Sequence, residues 1–174
     1  MKIAIASLLV LSLFMFSCKH DKKDMIRGQW YGEQLQNTEM DSVFRLTQND
    51  IDTIGKNTTA ETNIELYGTT NVDSLRRELQ LQQDEVKSLQ LKAVHNTNFN
   101  FFSDSLVAIS FGFRIDTSKW YFINDKQLEM IEMTGEGKGS KLQMDVLTLT
   151  DKALSLKFEL ESTFSTVTFG RDKK

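Results

Sequence analysis

Two-residue alternation of apolar and polar side chains governs this chain from about Asn96 onward, and it constrains the fold more than any other feature. The clearest example is segment 154–161, in which Leu, Leu, Phe and Leu alternate with Ser, Lys, Glu and Glu. Successive side chains of a β-strand point to opposite faces, so this pattern predicts strands with one buried and one solvated face. The same alternation recurs in segments 120–122, 142–146 and 167–169.

A further alternating segment covers residues 107–114. We expect Val107, Ile109, Phe111 and Phe113 on one face, and Arg114 on the other with Ala108, Ser110 and Gly112. Short polar segments separate the predicted strands and indicate turns at residues 103–105, 116–118, 124–126, 135–140 and 150–152. Connections this short join antiparallel neighbours. The second half of the chain is therefore predicted to form roughly seven strands in an up-and-down meander.

The periodicity before Asn96 is helical. One apolar stripe predicts a long helix that packs on the sheet. The stripe consists of Val72, Leu75, Leu79, Val86, Leu89 and Ala93. Asn71 or Asp73 is expected to cap the start of this helix. A second stripe predicts a helix ended by Gly55: Met40, Val43, Thr47, Ile51 and Ile54. A third short helix is predicted at residues 59–67 and a first strand at residues 26–34. The helical insertion then spans about residues 38–95.

The N-terminus has the pattern of a secretory signal. Lys2 precedes an almost unbroken apolar run over residues 3–16, and Ser17 precedes Cys18, the only cysteine of the chain. The run is shorter than the ~20 residues that span a bilayer and fits a signal-peptide core. We predict a signal peptide at 1–17, a lipidated Cys18 that begins a charged tether at 18–25, and one domain at 26–174. The alternative is an ordinary cleaved signal that happens to precede a cysteine.

Several segments resemble lipocalin-like lipoproteins of the Bacteroidota. Gly28-Gln29-Trp30 is similar to the opening Gly-x-Trp of lipocalin-like proteins, and residues 99–104, 120–125 and 147–156 resemble their recurring strand–turn units. Residues 13–18 resemble a lipobox. The resemblance implies an α+β fold, an antiparallel up-and-down barrel of about eight strands with a helical insertion after the first strand. It also implies that Trp30 packs across a closed barrel base and that the anchor lies in the outer membrane, facing the periplasm or the cell surface.

The interior of such a barrel supplies the candidate binding site. Eight residues are predicted to line its pocket: Phe99, Phe101, Val107, Ile109, Phe111, Phe113, Trp120 and Phe122. A hollow barrel lined in this way suits a small apolar ligand. A surface that engages another envelope protein is the alternative, and a third is a structural or accessory envelope lipoprotein whose barrel is filled.

Residues that carry catalysis are scarce. Of the two histidines, His20 falls in the tether and His95 at the end of the long helix, where it complements the helix dipole. We therefore expect no nucleophile–histidine pair, no metal site and no cofactor. The formal net charge of −3 disfavours nucleic acid as a partner. Glu129, Glu132 and Glu136 are interpreted as surface residues; a carboxylate-based hydrolase is the alternative if two acids converge across a cleft.

Overall fold

The computed structural model describes residues 21–112, 114–160 and 162–171. The helices are α1 (Lys22–Ile26), α2 (Thr38–Thr53), α3 (Ala60–Tyr67) and α4 (Val72–His95). The strands are β1 (Gly28–Asn37), β2 (Thr97–Phe101), β3 (Leu106–Phe111), β4 (Arg114–Asn124), β5 (Gln127–Glu132), β6 (Lys141–Leu149), β7 (Ala153–Leu160) and β8 (Thr163–Gly170). The predictions for Cys18 and Phe113 lie outside the described residues.

The strands form one closed antiparallel barrel in which each pairs with the next, and β8 pairs with β1. The predicted eight-stranded barrel with a helical insertion after its first strand is thereby confirmed. The barrel has two ends, and successive strands run alternately from one to the other. We call the end where β1 begins the base and the end where β1 leads into α2 the helix end.

The alternating apolar residues fill the barrel interior with one contiguous core. Directly paired residues of an antiparallel sheet share a face, and the pairs Trp30–Phe99 and Leu154–Phe169 both point inward. The Phe99 and Phe169 ring centroids lie 4.7 Å apart. The buried cluster consists of Ile26, Trp30, Phe99, Phe101, Val107, Ile109, Trp120, Leu128, Met130, Met144, Leu154, Leu156 and Phe169.

Side-chain caps fix where the insertion helices begin. Asn37 accepts a hydrogen bond from the Met40 amide at 2.9 Å at the start of α2, and Asn71 accepts one from the Ser74 amide at 3.1 Å at the start of α4. Such caps satisfy amides that have no partner within the helix. Asn71, of the two predicted candidates, is therefore the cap of α4.

Helix α4 packs on the sheet near its C-terminal end, but its apolar stripe is not covered along its whole length. Val86 is 53% and Leu89 59% exposed, and within α4 only Gln83 and Val94 are buried. The main contacts of α4 with strands are to β1. The predicted packing on the sheet is therefore confirmed for the end of α4. The expectation that the whole stripe is covered was wrong, because a helical period specifies which face of a helix is apolar, whereas the tertiary fold decides what covers that face.

The turn between β3 and β4 also differs from the prediction. Phe111 pairs with Arg114, so the chain reverses between these two residues, and residues 116–118 lie within β4. Gly112 has φ +71°, a left-handed conformation that glycine adopts without steric cost. Because the reversal puts paired residues on one face, Arg114 shares the face of Phe111. The alternating pattern had predicted that Arg114 lies on the opposite face from Phe111.

Helix α1 takes up part of the segment that was assigned to the tether. Asp21 caps it by accepting a hydrogen bond from the Lys23 amide at 3.0 Å, and Ile26 at its end is fully buried. Residues 22–25, which were predicted to belong to the tether, are therefore part of the folded domain.

Candidate functional site

Helix α1, Trp30 and Arg171 cover the base of the barrel. Trp30 is fully buried and donates its indole N–H to the Ile26 carbonyl at 2.6 Å. The Arg171 guanidinium lies 3.7 Å from the Trp30 ring centroid and donates to the Met25 carbonyl at 2.6 Å and the Arg27 carbonyl at 2.7 Å. These bonds hold α1 across the base, so a binding site in this fold has to be sought at the helix end.

The residues predicted to line a pocket lie together in the barrel, where they pack against one another. Phe101 and Trp120 meet edge to face at 5.4 Å, and Trp120 and Phe122 do so at 6.1 Å. Among the described members of the predicted set, Phe99, Phe101, Val107, Ile109 and Trp120 are buried in the core and Phe122 packs against it.

Phe111 is the exception among the predicted lining residues, because it is 56% exposed. It forms the last pair of the β3–β4 hairpin, with Arg114, at the helix end. The alternation continues to this position, but on β3 the apolar core ends two residues earlier, at Ile109. Phe111 therefore does not line an enclosed pocket.

The interior face of the barrel becomes polar toward the helix end. Ile109 pairs with Asp116, and Val107 pairs with Ser118, so both polar residues point inward. A polar ring of inward-facing residues follows from the same register: Asn37, Arg114, Asp116, Ser118, Glu132 and Ser165. Polar side chains thus join the interior toward the helix end on β1, β4, β5 and β8, whereas the core nearer the base is apolar.

Arg114 is the cationic member of the polar ring. Its Nε donates to Asp116 Oδ1 at 2.8 Å. The hydrogen bond and charge of Asp116, followed by the charges of Glu132 and Glu136, raise the pKa of Arg114 above its ordinary value. The arrangement neutralises part of the acidic charge at this end of the barrel.

The acidic residues of β5 lie on opposite faces of the barrel wall. Glu132 points inward, whereas Glu129 is on the outer face and is 3% exposed. Glu129 accepts hydrogen bonds from the Tyr121 hydroxyl and from Gln143 Nε2, the latter at 2.8 Å. These two bonds, in that order, and Lys141 lower the pKa of Glu129. The interpretation of Glu129 as a solvated residue was therefore wrong, since long neighbouring side chains cover it.

The helical insertion forms two grooves, one against the barrel and one between its own helices. The first, which we call the strand–helix groove, has a volume of about 350 Å³ and lies between β1, α2 and α4. It is lined by Gln34, Leu35, Asp41, Phe44, Lys87, Gln90, Leu91 and Val94. The Lys87 Nζ lies 5.4 Å from the Phe44 ring centroid.

The second, which we call the interhelical groove, has a volume of about 360 Å³ and lies between α2 and α4. It is lined by Val43, Phe44, Thr47, Asp50, Ile51, Ile54, Leu79, Gln82, Gln83 and Val86. Gln83 is 6% exposed and donates from Nε2 to the Phe44 carbonyl at 2.8 Å, while its Oε1 has no hydrogen-bond partner among the described residues. Phe44 contributes to both grooves, so α2 and α4 together form groove walls at this end.

Neither groove presents the ligands of a metal site. Within residues 21–112, 114–160 and 162–171, no three His, Cys, Asp or Glu side chains converge closely enough to hold an ion. In the same part of the chain, every helix is too short or too polar to cross a bilayer.

The chain is similar in structure to a solved protein from a Bacteroides species. A DUF4847 family protein from Bacteroides vulgatus, known from a crystal structure at 1.00 Å resolution, superposes with a TM-score of 0.46 and 12% sequence identity, covering 88% of this chain and 98% of that one. No protein-family model matches the chain, and no curated protein matches it either. At this identity and TM-score the likeness carries no functional inference, so function has to be argued from the grooves themselves.

The sequence analysis did not identify Gln83, which lines the interhelical groove, or the inward-facing position of Arg114 in the polar ring. Gly112 was the available signal for Arg114, because a glycine inside a strand pattern often marks a turn or bulge. For Gln83, the signal was a polar residue near the apolar stripe of a helix, which local sequence cannot distinguish from an exposed glutamine.

Proposed function

We propose that this chain is a lipid-anchored protein of the cell envelope that binds a small, largely apolar ligand without catalysis. Its anchor would be acylated Cys18, attached to the outer membrane. A diacylglycerol group with a further acyl chain exceeds the two signals that stable anchoring requires.

The observation that carries the proposal is the pair of grooves formed by α2 and α4. Each has a volume within the range typical of small-molecule sites. The interhelical groove is lined largely by apolar side chains, whereas apolar and polar side chains line the strand–helix groove in equal number. The proposal moves the ligand from the barrel interior, where the sequence placed it, to the helical insertion.

The barrel then serves as a rigid support for the insertion. Its core residues interlock, and α1 covers its base through Trp30 and Arg171. Sites carried on a rigid scaffold keep their geometry, while the segments that they carry can adapt to a ligand. A carboxylate-based hydrolase needs two carboxylates that face the same bond of the substrate. Glu129 and Glu132 lie on opposite faces of the barrel wall, which supports a non-enzymatic function.

The ligand proposal is tested by native mass spectrometry of the full chain isolated from its own envelope. We expect a bound small molecule whose removal is followed by uptake of a neutral apolar diazirine probe. After irradiation, labelled peptides should come from α2 and α4. Labelling confined to peptides of β2–β8 would place the ligand in the barrel and contradict the proposal.

A second candidate function is that of an accessory protein whose filled barrel only displays a surface for another envelope protein. The interlocked core and the exposed Leu81, Leu89 and Leu91 of α4 favour it. If native spectra show no retained small molecule and the probe labels no site saturably, this second candidate replaces the first.

The anchor is tested separately. Mass spectrometry of the mature N-terminal peptide should show Cys18 as the first residue with its acyl groups. A Cys18→Ser variant should leave the membrane fraction. A mature chain that lacks acyl groups at Cys18 would rule out the anchor and leave the ligand proposal untouched.

A further inference from the structure

We propose that the base of the barrel is a membrane-facing surface that contacts the headgroups of zwitterionic phospholipids, so that the helix end points away from the bilayer. This rests on the acylated Cys18 of the proposed function and goes beyond it by assigning a second surface and its partner. The inference depends on the length of the tether and on the side chains that the base exposes.

The tether between the anchor and the folded domain is short. Cys18 lies three residues before Asp21, whose side chain caps α1. Three residues span at most about 11 Å even when they are fully extended. An acylated Cys18 therefore holds the start of α1 within that distance of the lipid headgroups.

Helix α1 is fixed to the turns at the base. The Lys22 ammonium donates to the Asp125 carbonyl in the β4–β5 turn. Arg171 Nε donates to the Asp151 carbonyl in the β6–β7 turn at 3.3 Å, while its Nη2 donates to the Met25 carbonyl of α1 at 2.6 Å. We call α1, Arg27, Arg171 and the turns at 102–105, 125–126 and 150–152, together with the cap Asp21, the base surface. Because these parts are bonded to one another, the tether positions the whole base surface and not α1 alone.

Each turn of the base surface exposes one side chain suited to a headgroup layer. Phe102, which is 42% exposed, directly follows Phe101, the partner of Gly28 at the start of β1. Lys126 and Lys152 are exposed and have no ion-pair partner among the described residues. Phenylalanine rings insert at the boundary between headgroups and acyl chains, and lysines near that boundary are attracted to lipid phosphates.

The charge of the base surface suits zwitterionic headgroups. Its cations are Lys22, Lys23, Arg27, Lys126, Lys152 and Arg171, and its acids are Asp21, Asp24, Asp104, Asp125 and Asp151. These charges nearly balance, as do the phosphate and ammonium groups of a zwitterionic lipid. Since the whole chain has a formal net charge of −3, the acidic excess lies on the rest of the molecule, which lipid phosphates repel.

The test measures which end of the barrel meets the lipid. The acylated full chain is placed in vesicles of phosphatidylethanolamine and phosphatidylcholine, some of whose headgroups carry a nitroxide quencher. A bimane fluorophore is attached to one introduced cysteine, in Lys126→Cys or Lys152→Cys at the base, or in Lys138→Cys at the helix end as the matched control. Acylated Cys18 has no free thiol and takes no label. Because a barrel length of roughly 20 Å separates the two ends, we expect quenching at 126 and 152 to exceed quenching at 138 at least about threefold.

A longer tether separates the contribution of the base surface from that of the anchor. Ten Gly and Ser residues inserted after Lys19 extend the reach to about 45 Å, so the covalent link alone no longer holds the base at the bilayer. We expect the label at 152 still to be quenched more than the label at 138. In this longer chain Phe102→Ser should lower quenching at 152 about twofold. Phe164→Ser, at a 51% exposed phenylalanine of the helix end, should leave it unchanged. Thermal unfolding checks that each variant is folded.

The outcomes that would overturn the inference are distinguishable from failure of the proposed function. Quenching at 138 that equals or exceeds quenching at 152 in the chain with its own tether would show a molecule lying on its side or inverted, and would leave the proposed function standing. Loss of the difference in the longer chain would show that the base surface has no attraction to headgroups, and the assignment would fall. A chain that leaves the vesicles and lacks acyl groups at Cys18 would remove the anchor and this inference with it.

Discussion

The guanidinium of Arg171 stacks over the indole of Trp30, with its carbon 3.7 Å from the ring centroid. One residue lies near the start of the domain and the other directly follows the last strand. Arg171 also donates to two carbonyls at the end of helix α1, those of Met25 and Arg27. The contact thus joins both ends of the folded chain at the base of the barrel.

Arg171→Ala should lower the free energy of unfolding by about 2–3 kcal/mol, because it removes the cation–π contact and leaves carbonyls without their donor. Urea unfolding followed by tryptophan fluorescence measures this. Arg27→Ala is the matched control at the same end: its side chain is 41% exposed and ion-paired with Asp24. We expect that change to cost about 1 kcal/mol or less. Equal effects of the two variants would contradict a structural role for the stack.

The stack can be isolated by a double-mutant cycle of Trp30→Phe and Arg171→Ala. Phenylalanine fills much of the same space but has no N–H for the Ile26 carbonyl and a weaker ring for the cation. We expect a coupling energy of about 0.5–2 kcal/mol between the two positions. Additive effects would indicate that Arg171 acts only through α1.

Stability should fall on acidification as Glu129 is protonated. Hydrogen bonds from Tyr121 and Gln143 lower the pKa of Glu129 in the folded state, so its contribution is present above the ordinary carboxyl value and is lost as pH falls through the lowered pKa. Glu129→Gln should therefore flatten the acid limb of a curve of midpoint temperature against pH. Glu159→Gln, at an exposed position on β7, is the control and should leave that limb unchanged.

The same bond predicts a loss at alkaline pH. Donation to Glu129 raises the pKa of the Tyr121 hydroxyl. A group whose pKa is raised by folding stabilises the protein below its unfolded pKa, and this contribution is lost as pH rises through the folded value. Tyr121→Phe should reduce the steepness of the alkaline limb. An absorbance titration that shows Tyr121 ionising no later than the other tyrosines would count against the bond.

Gly32 allows the end of α4 to approach the barrel closely. A Cβ at this position would lie 2.2 Å from the Val94 carbonyl oxygen, which is backbone and cannot move aside alone. Gly32→Ala should therefore destabilise the protein by about 1–3 kcal/mol and distort the strand–helix groove. In Gly137→Ala the added atom meets only the end of the Glu132 side chain, 2.1 Å away, which can swing aside. A cost of about 0.5 kcal/mol or less is expected there.

The middle of α4 should open more readily than the barrel. Residues 84–93 of this helix are mostly exposed, whereas Leu154 and Leu156 of β7 are buried in the core. Hydrogen exchange should be at least about tenfold faster for amides 84–93 than for amides 154–158. Equal protection would show that the insertion and the barrel unfold as one unit. Added ligand should slow exchange in α2 and α4 first.

The spacing of apolar residues along the sequence was sufficient to predict most of the secondary structure. Alternation in residues 154–160 identified β7, and helical spacing with Asn71 as a cap identified α4. Both signals depend on neighbours only a few residues away. The reversal at Gly112 was missed because the alternation runs through it without a polar break, so Arg114 was assigned to the wrong face.

What the sequence alone determined is which side of each strand and helix is apolar, because that property repeats every two or every three to four residues. Only the tertiary structure decided which residues pack against those apolar sides and which sides stay exposed to solvent. It placed Arg171 over Trp30, exposed Val86 and Leu89 of the α4 stripe, and buried Gln83 with one oxygen that has no hydrogen-bond partner among the described residues. These contacts join residues distant in sequence, and their geometry depends on strand register and helix placement, which no local pattern records.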